Sequence, residues 1–309
     1  MKTSFPTLSD ARRLQLLELP DGVLDFVLDT DTFNEIDDQF ALVYALLCPE
    51  RLRLQAVCAA PFFNENSTGP KDGMEKSYDE ILRILSRMDV SPDGLVFKGS
   101  DRYLPDEDTP VDSSAARRIA ELALAHTPDH PLYVAAIGAI TNVASALLLE
   151  PSIIDRMVVI WLGGHAPFWP DTREFNLVQD IPAARVIFGS GVPLIQLPCF
   201  GVVDRLSVSL PEIEAWVRGQ GAIGDYLADT YKACAKDHFA HSRVIWDLSA
   251  VAVLTCPDAV STTLCHSPVV SDEGLYSFPA DRHLIRQAYS LNRDAIFRAL
   301  FEKLQEVRT

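Results

Sequence analysis

Short uninterrupted apolar runs alternate along this chain with longer segments whose apolar residues recur every three or four positions. The short runs predict buried strands and cover residues 24–28, 54–59, 132–136, 157–162 and 193–197. The longer segments predict helices and cover residues 36–47, 75–88, 142–149, 181–188, 211–217, 223–236, 248–254 and 293–307. Strand and helix in this order predict an α/β fold, with a mostly parallel open sheet and helices on both faces.

No internal repeat and no linker rich in Pro, Gly or Ser divides the chain. We therefore expect a single domain over residues 1–309, in which residues 1–22 form an N-terminal extension. The 48% share of hydrophobic residues suffices for a sizeable core.

Charge and cysteine content narrow the candidate functions. The formal net charge of −16 repels phosphate backbones and anionic lipids, so nucleic-acid polymers and membranes are poor partners. The six cysteines form no CxxC pair, which gives little support to zinc or iron–sulfur ligation. Charged residues interrupt the first 20 positions, so we expect no signal peptide and a cytoplasmic location. A neutral small molecule or a cation is the better partner.

An acidic cluster directly follows the first predicted strand. Four aspartates, Asp29, Asp31, Asp37 and Asp38, fall within ten residues there. Open α/β sheets bind ligands at the carboxyl ends of their strands, and carboxylate oxygens suit Ca²⁺ or Mg²⁺. Asp37 and Asp38 open the next helix as consecutive residues, so one could ligate a metal while the other faces a substrate hydroxyl. A solvated acidic loop with helix-capping aspartates is the alternative.

Residues 28–47 resemble the signature of the nucleoside hydrolases, in which an apolar strand precedes Asp-x-Asp, a short loop, Asp-Asp and an apolar helix. The loop between Asp31 and Asp37 is two residues longer than the usual form and lacks its Pro-Gly. The resemblance implies the nucleoside hydrolase fold. It also implies calcium-dependent hydrolysis of the N-glycosidic bond of a ribonucleoside, giving ribose and free base.

Two other functions stay open. Residues 29–32 match the first four positions of the Asp-x-Asp-x-Thr motif of haloacid-dehalogenase-like, magnesium-dependent phosphatases, but Phe33 stands where Thr is required. Residues 224–229 resemble that family's later metal motif, although their flanks are predicted helices rather than the required strand. The other possibility is a non-catalytic protein that binds ribose or a nucleoside.

Two further motifs support the nucleoside hydrolase resemblance. Residues 132–144 contain a strand, a glycine turn and a Thr-Asn helix start, where we expect Thr141 to be the N-cap. In the family the backbone carbonyl before that glycine is a calcium ligand, and Ile137 has this position. A glycine turn with an N-cap and no metal is an equally good interpretation of this segment alone.

The Glu-Phe-Asn motif of the family places a carboxylate and an amide on the ribose hydroxyls, and Glu174 and Asn176 match it. Paired acceptors and amides in a dry pocket suit a cis-diol. Phe168 and Trp169, in the segment before the motif, are candidates to contact the base or form a lid, or else are structural. Asn64 resembles the family's Asn at the end of the second strand, with Asn66 as an alternative register.

The last motif is Trp246-Asp247 at the start of a predicted helix. The resemblance makes Asp247 the last protein ligand of calcium. Many members carry a His before this Asp that protonates the leaving base, and here Trp246 has that position. An indole is no general acid near neutral pH, but it can stack on a purine. His241 or His238 could act as the acid instead, or could be a solvated surface histidine.

The resemblance thus implies Ca²⁺ held by Asp31, Asp38, the Ile137 carbonyl and Asp247. Asp31 is the candidate general base for an attacking water, and Asp29 is expected to support the loop. The sugar would be held by Asp37, Asn64, Glu174 and Asn176. Family members are usually homodimers or homotetramers, so a homo-oligomer is expected.

Overall fold

The computed structural model describes residues 3–307; Met1, Lys2, Arg308 and Thr309 of the expected domain lie outside the described residues. The strands of the described part are β1 (Leu24–Thr30), β2 (Leu52–Ala59), β3 (Val96–Lys98), β4 (Leu132–Ala136), β5 (Met157–Leu162), β6 (Leu194–Leu197), β7 (Ser207–Ser209), β8 (Ser242–Val244), β9 (Val260–His266), β10 (Val269–Val270), β11 (Tyr276–Ser277) and β12 (Leu284–Leu291).

The α-helices of the described part begin before the first strand, lie between the strands and follow the last of them. They are α1 (Asp10–Leu17), α2 (Asp37–Leu46), α3 (Pro70–Arg87), α4 (Ser114–Ala125), α5 (Thr141–Leu149), α6 (Phe175–Gln179), α7 (Ile181–Ser190), α8 (Leu210–Trp216), α9 (Gly221–Ala233), α10 (Leu248–Thr255) and α11 (Arg293–Glu306).

One eight-stranded sheet, in the order β3-β2-β1-β4-β5-β6-β12-β9, organises the chain. Its neighbours pair in parallel except β12 and β9, which are antiparallel. From β1 the chain first runs outward through β2 and β3 and then returns to place β4 on the other side of β1. Ligands of open α/β sheets bind at such a reversal, beyond the carboxyl ends of the strands.

Helices cover both faces of the sheet because successive strand residues point to opposite sides. In β1, Phe26 and Leu28 pack into one core layer, whereas Val27 packs into the other. Helices α2 and α10 contribute to the first layer, and α4, α5 and α7 to the second. The predicted fold, a mostly parallel α/β sheet with helices on both faces, is confirmed.

The differences from the sequence prediction have local causes. Strands β9 and β12 were not predicted, because β9 is a sheet edge whose residues are mostly exposed or half-buried and carry no apolar run. The expected N-cap role of Thr141 is wrong: Thr141 is the first residue of α5, after Ile140, and its hydroxyl donates to Asp180 instead. The expected N-terminal extension contains α1, whose Leu16 and Leu17 are buried in the core.

In residues 3–307 we find no helix that combines the length and the apolar character required to cross a bilayer.

Candidate active site

A cavity of about 250 Å³ opens above the carboxyl ends of four adjacent strands, β1, β4, β5 and β6. The residues at the carboxyl end of each of these strands face the cavity. The lining consists of acidic, amide and aromatic side chains with few aliphatic ones: Asp31, Asn34, Glu35, Asp37, Asp38, Ile137, Leu162, His165, Arg173, Glu174, Phe175, Asn176, Cys199, Phe200, Trp246 and Asp247.

The bottom of the cavity is formed by four buried aspartates, which we call the carboxylate floor: Asp31, Asp37, Asp38 and Asp247. Each is at most 3% exposed. One carboxylate oxygen each from Asp37, Asp38 and Asp247 lies within 4.8 Å of the others. Asp37 and Asp38 are consecutive, and their oxygens nevertheless converge on the same point. Of the predicted metal ligands, this group contains Asp38 and Asp247; it also contains Asp37, which was predicted to face the sugar, and does not contain Asp31.

Burial raises the pKa of every member of the carboxylate floor, and the neighbouring carboxylates add to the effect. The pKa of Asp37 rises to about 8 and that of Asp38 to about 6, while those of Asp31 and Asp247 rise well above their usual range. Four ionised carboxylates cannot share this volume without a positive charge among them.

Asp31 gives the most direct indication that the site suits a cation. Both of its carboxylate oxygens are buried and have no hydrogen-bond partner among the described residues. A Cβ on Gly138 would lie 2.9 Å from the Asp31 carboxyl carbon, so only glycine allows this approach. The cationic side chain that influences the floor, Arg243, is ion-paired with Glu35. Oxygen-only donors around an unpaired buried carboxylate fit a hard divalent cation.

The residues behind the floor hold it in place. The Asn142 amide donates to Asp29 at 2.8 Å and to the Ala59 carbonyl at 3.2 Å, which ties β1 to β2. Thr30 donates to Asp38 through its hydroxyl. Asp247 is the N-cap of α10 but makes no side-chain capping hydrogen bond, so its carboxylate remains available to the floor. The Thr-Asn motif therefore supports the site from outside the cavity.

Glu174 and Asn176 lie on the side of the cavity formed by β5 and α6. The Glu174 carboxylate accepts hydrogen bonds from the backbone N–H groups of Asn176, Leu177 and Gly164, at 2.8, 3.0 and 2.9 Å, and so also caps α6. The Asn176 amide donates to the carbonyls of Ile137 (3.3 Å) and Leu162 (3.1 Å). Both side chains are thereby fixed, and both residues line the cavity.

Four ring-bearing residues at the cavity form a group that we call the aromatic wall: His165, Trp169, Phe200 and Trp246. Phe200 lies at its centre, stacked on Trp169 at 5.2 Å and edge-on to Trp246 at 5.3 Å between ring centroids. His165 approaches Phe200 to 4.9 Å. The backbone N–H of Trp246 donates to Asp37 at 3.1 Å, which joins the wall to the floor.

Four predicted site residues lie outside the lining. Asn64 reaches the site indirectly, because its amide donates to the Asn34 side chain at 2.5 Å. Phe168 is 71% exposed, and Trp169 stacks behind Phe200 instead of lining the cavity. His241 does not line the cavity and contacts His238, at 5.7 Å between ring centroids. The alternative residue Asn66 is exposed and donates to the Asn34 carbonyl.

Sequence reasoning missed several lining residues, above all Asn34, Glu35, His165, Arg173 and Phe200. Asn34 and Glu35 belong to the lengthened loop after Asp31, whose path no motif describes. His165 follows Gly163-Gly164 at the end of β5, and that position alone could have marked it. Phe200 reaches the cavity through tertiary pairing of its segment with residues 164–166, which leaves no local signal.

The second motif of the phosphatase alternative is not part of this site. Residues 224–229 lie on α9, and none of them lines the cavity. Asp225 accepts from the Gly219 backbone and Asp229 is ion-paired with Arg218. These carboxylates therefore do not join the floor, as a phosphatase metal site would require.

Comparison with known proteins supports the same interpretation. Pyrimidine-specific ribonucleoside hydrolase RihB of Escherichia coli O157:H7 is 27% identical over 183 residues, which cover 56% of this chain and 55% of that protein. The match thus spans about half the length of such curated relatives. The solved purine-preferring ribonucleoside hydrolase from Gardnerella vaginalis superposes with a TM-score of 0.73 at 21% identity, covering 92% of this chain and 98% of the other.

A plant nucleoside hydrolase superposes equally well, with a TM-score of 0.73 at 18% identity over 91% of this chain and 99% of that one. At these identities the superpositions establish the fold. The profile of the inosine-uridine preferring nucleoside hydrolases matches residues 26–294, which contain the carboxylate floor and the aromatic wall. The chain belongs to the inosine-uridine preferring nucleoside hydrolase family.

Proposed function

We propose that this protein is a calcium-dependent enzyme that hydrolyses the N-glycosidic bond of a ribonucleoside. The observation that carries the proposal is the carboxylate floor, where buried aspartates from two distant segments converge and Asp31 has two unpaired oxygens. The cavity above it is small, about 250 Å³, which suits a single small ligand and excludes a polymer.

The cation would be held by Asp31, Asp38, Asp247 and the backbone carbonyl of Ile137. These are oxygen donors only, and Ca²⁺ accepts six to eight oxygens with flexible geometry. A bound Ca²⁺ would balance the carboxylate charges and acidify a water molecule near the sugar. The raised pKa values of the floor are consistent with this requirement for a positive charge.

Asp31 is the proposed general base. No protein group donates a hydrogen bond to its carboxylate. The carboxylate can therefore take a proton from water as the water oxygen bonds to C1′ of the sugar. As the base departs, the ribosyl group develops oxocarbenium character, which the surrounding negative charges of the floor stabilise. The close packing of Gly138 against the Asp31 carboxyl group holds that carboxyl group in one position.

The sugar hydroxyls are assigned to Asp37, Glu174, Asn176 and Asn34. Glu174 is buried and anchored by three backbone N–H groups, which leaves it rigid while its free lone pairs can still accept from a hydroxyl. Asn64 fixes Asn34 by donating to it and so acts one step away from the sugar. Rigid acceptors of this kind orient a cis-diol without a loss of side-chain freedom on binding.

The base is assigned to the aromatic wall, with Trp246 and Phe200 as the faces that exclude water. The relatives differ in the base they are named for, pyrimidine-specific in one case and purine-preferring in another. The base preference of this chain is therefore a question for measurement across both classes.

The decisive experiment is an assay of reducing sugar released from inosine, adenosine, guanosine, uridine and cytidine. The protein is first treated with EDTA, then assayed with and without added Ca²⁺. We expect release of ribose from at least one nucleoside with Ca²⁺, and a loss of at least about 100-fold without it. Activity that persists in the fully metal-stripped protein would overturn the calcium dependence.

Two further outcomes would replace the proposed function. Calorimetric binding of ribose or nucleoside without release of base would identify a binding protein. Phosphate release from p-nitrophenyl phosphate with Mg²⁺ would identify a phosphatase.

A further inference from the structure

We propose that His165 is a catalytic residue whose Nε2–H donates a hydrogen bond to the leaving base. The inference rests on the proposed function and assigns the one role that the floor leaves open. His165 lines the cavity, is 6% exposed, and belongs to the aromatic wall on the side assigned to the base. It follows Gly163-Gly164 at the end of β5.

The hydrogen bond at the other ring nitrogen determines the tautomer. The backbone N–H of Phe200 donates to Nδ1 of His165 at 3.1 Å. A nitrogen that accepts carries no proton, so the neutral ring has its proton on Nε2. The neighbouring backbone reinforces this geometry: Cys199 N–H donates to the Gly164 carbonyl at 2.8 Å and Ala166 N–H to the Phe200 carbonyl at 3.0 Å.

The Nε2–H has no acceptor among residues 3–307, although the side chain around it is more than nine-tenths buried. Nδ1 is occupied by Phe200 N–H, and the imidazole ring lies 4.9 Å from the Phe200 ring and 6.4 Å from the Trp169 ring between centroids. Nε2 is not among the fully buried atoms that lack a partner, so it is accessible from the cavity that His165 lines, where a ligand can supply the acceptor. The cavity is where such a ligand would bind.

His165 acts as a neutral donor, not as an imidazolium acid. Burial lowers its pKa, and the opposing charges of Asp171 and Asp204 do not reverse that shift. Protonation at Nδ1 would also set two N–H groups against each other, at His165 and Phe200. The ring therefore keeps one proton near neutral pH and points it at the departing group.

The step balances as follows. The C1′–N bond breaks and its electron pair leaves with the base, whose acceptor atom receives the hydrogen bond from Nε2–H without taking the proton. A water oxygen bonds to C1′ and its proton passes to Asp31. The base anion then takes one proton from solvent, and Asp31 returns its own, so the sum is nucleoside plus water to ribose plus neutral base. One donor aimed at developing negative charge contributes about 10²–10³-fold in rate.

The test compares two substrates with wild-type protein and matched variants. His165→Asn keeps an acceptor at the Nδ1 position for Phe200 N–H but removes the Nε2 donor, whereas His165→Gln places an amide N–H near the Nε2 position. We expect His165→Asn to lower kcat on the best nucleoside about 100-fold. On p-nitrophenyl β-D-riboside, whose leaving group is stable as an anion, the loss should stay below about threefold. His165→Gln should recover nucleoside turnover to within about tenfold of wild type.

Trp246→Phe is the comparison variant, because it removes an indole N–H that lines the cavity while keeping an aromatic face. The proposal fails if His165→Asn slows both substrates equally, if it slows neither, or if Trp246→Phe alone shows the leaving-group-dependent loss. Thermal melting reports whether each variant is folded.

A measurement on the wild-type protein tests the inference independently of folding. Long-range ¹H–¹⁵N spectra at pH 7 should show the His165 ring protonated at Nε2, and a ring protonated at Nδ1 would overturn the inference. If wild-type protein hydrolyses the nitrophenyl riboside but His165→Asn matches it on nucleosides, only this inference fails. If the wild-type protein hydrolyses neither substrate with Ca²⁺, the proposed function fails, and this inference fails as well because it rests on that function.

Discussion

The carboxylate floor and the aromatic wall meet in one cavity, but the interactions within them differ in kind: the floor is repulsive and the wall is held by contacts. The floor is completely buried, and its charges repel one another with few protein groups to offset them. The wall is partly exposed and is held by ring contacts and ordinary backbone hydrogen bonds. The floor therefore lowers the stability of the ligand-free protein, whereas the wall lowers that stability only a little. The comparison separates residues that need a cation from residues that only shape the space above it.

Asp31→Asn should give the largest effect, because it removes the unpaired carboxylate and the proposed base. We expect kcat to fall at least about 10³-fold, near the upper end of the range for loss of a general base. In EDTA the melting temperature should rise by roughly 2–4 °C, since about 1 kcal/mol of buried repulsion is relieved. The rise in melting temperature that Ca²⁺ gives the wild type should disappear.

Asp93→Asn is the matched control, because Asp93 is an exposed aspartate outside the cavity. Its activity, melting temperature and response to Ca²⁺ should equal those of the wild type. Near-normal turnover of Asp31→Asn would contradict the base assignment. An unchanged response to Ca²⁺ would remove Asp31 from the metal ligands.

Trp246→Ala should give an intermediate effect, because the wall contributes contact area rather than charge. Loss of the indole face should lower kcat/KM about tenfold, corresponding to about 1.5 kcal/mol of aromatic contact. Trp246→Phe should retain most of that activity. Steady-state kinetics on one purine and one pyrimidine nucleoside would measure both, and an equal loss in the two variants would argue against stacking.

Phe168→Ala should give the smallest effect. Its side chain is 71% exposed and lies outside the lining, although it was a candidate for base contact from sequence. We expect KM to change less than about threefold on every nucleoside. A tenfold rise in KM would show that the segment carrying Phe168 closes over the substrate.

The aspartates of the floor and the two tryptophans of the wall were candidates from sequence, whereas His165 and Phe200 were not, for a physical reason. Asp31, Asp37 and Asp38 follow a buried strand, and hard oxygen ligands in that position have few other uses. The wall depends on where two loops meet. His165 and Phe200 are 35 positions apart and are brought together by backbone pairing between residues 164–166 and 199–200, which any side chains could make.

The fold shows the same division. The central parallel strands were predicted because both of their faces are buried and their sequences are continuously apolar. The outer pair β9 and β12 was missed because partial exposure removes that signal. Glu174 combines both cases: its place in the cavity followed from the motif, but its second role as the cap of α6 appears only in three dimensions.

The backbone pairing beyond the ends of β5 and β6 also governs how easily the selectivity of this cavity can be redesigned. Two backbone hydrogen bonds, from Cys199 N–H to the Gly164 carbonyl and from Ala166 N–H to the Phe200 carbonyl, join the two loops that carry His165 and Phe200. Exchanging a ring at His165 or Phe200 changes the shape and donors presented to a ligand without remodelling a loop. Small libraries at these two positions, made with the floor untouched, are the direct route to variants with altered base selectivity.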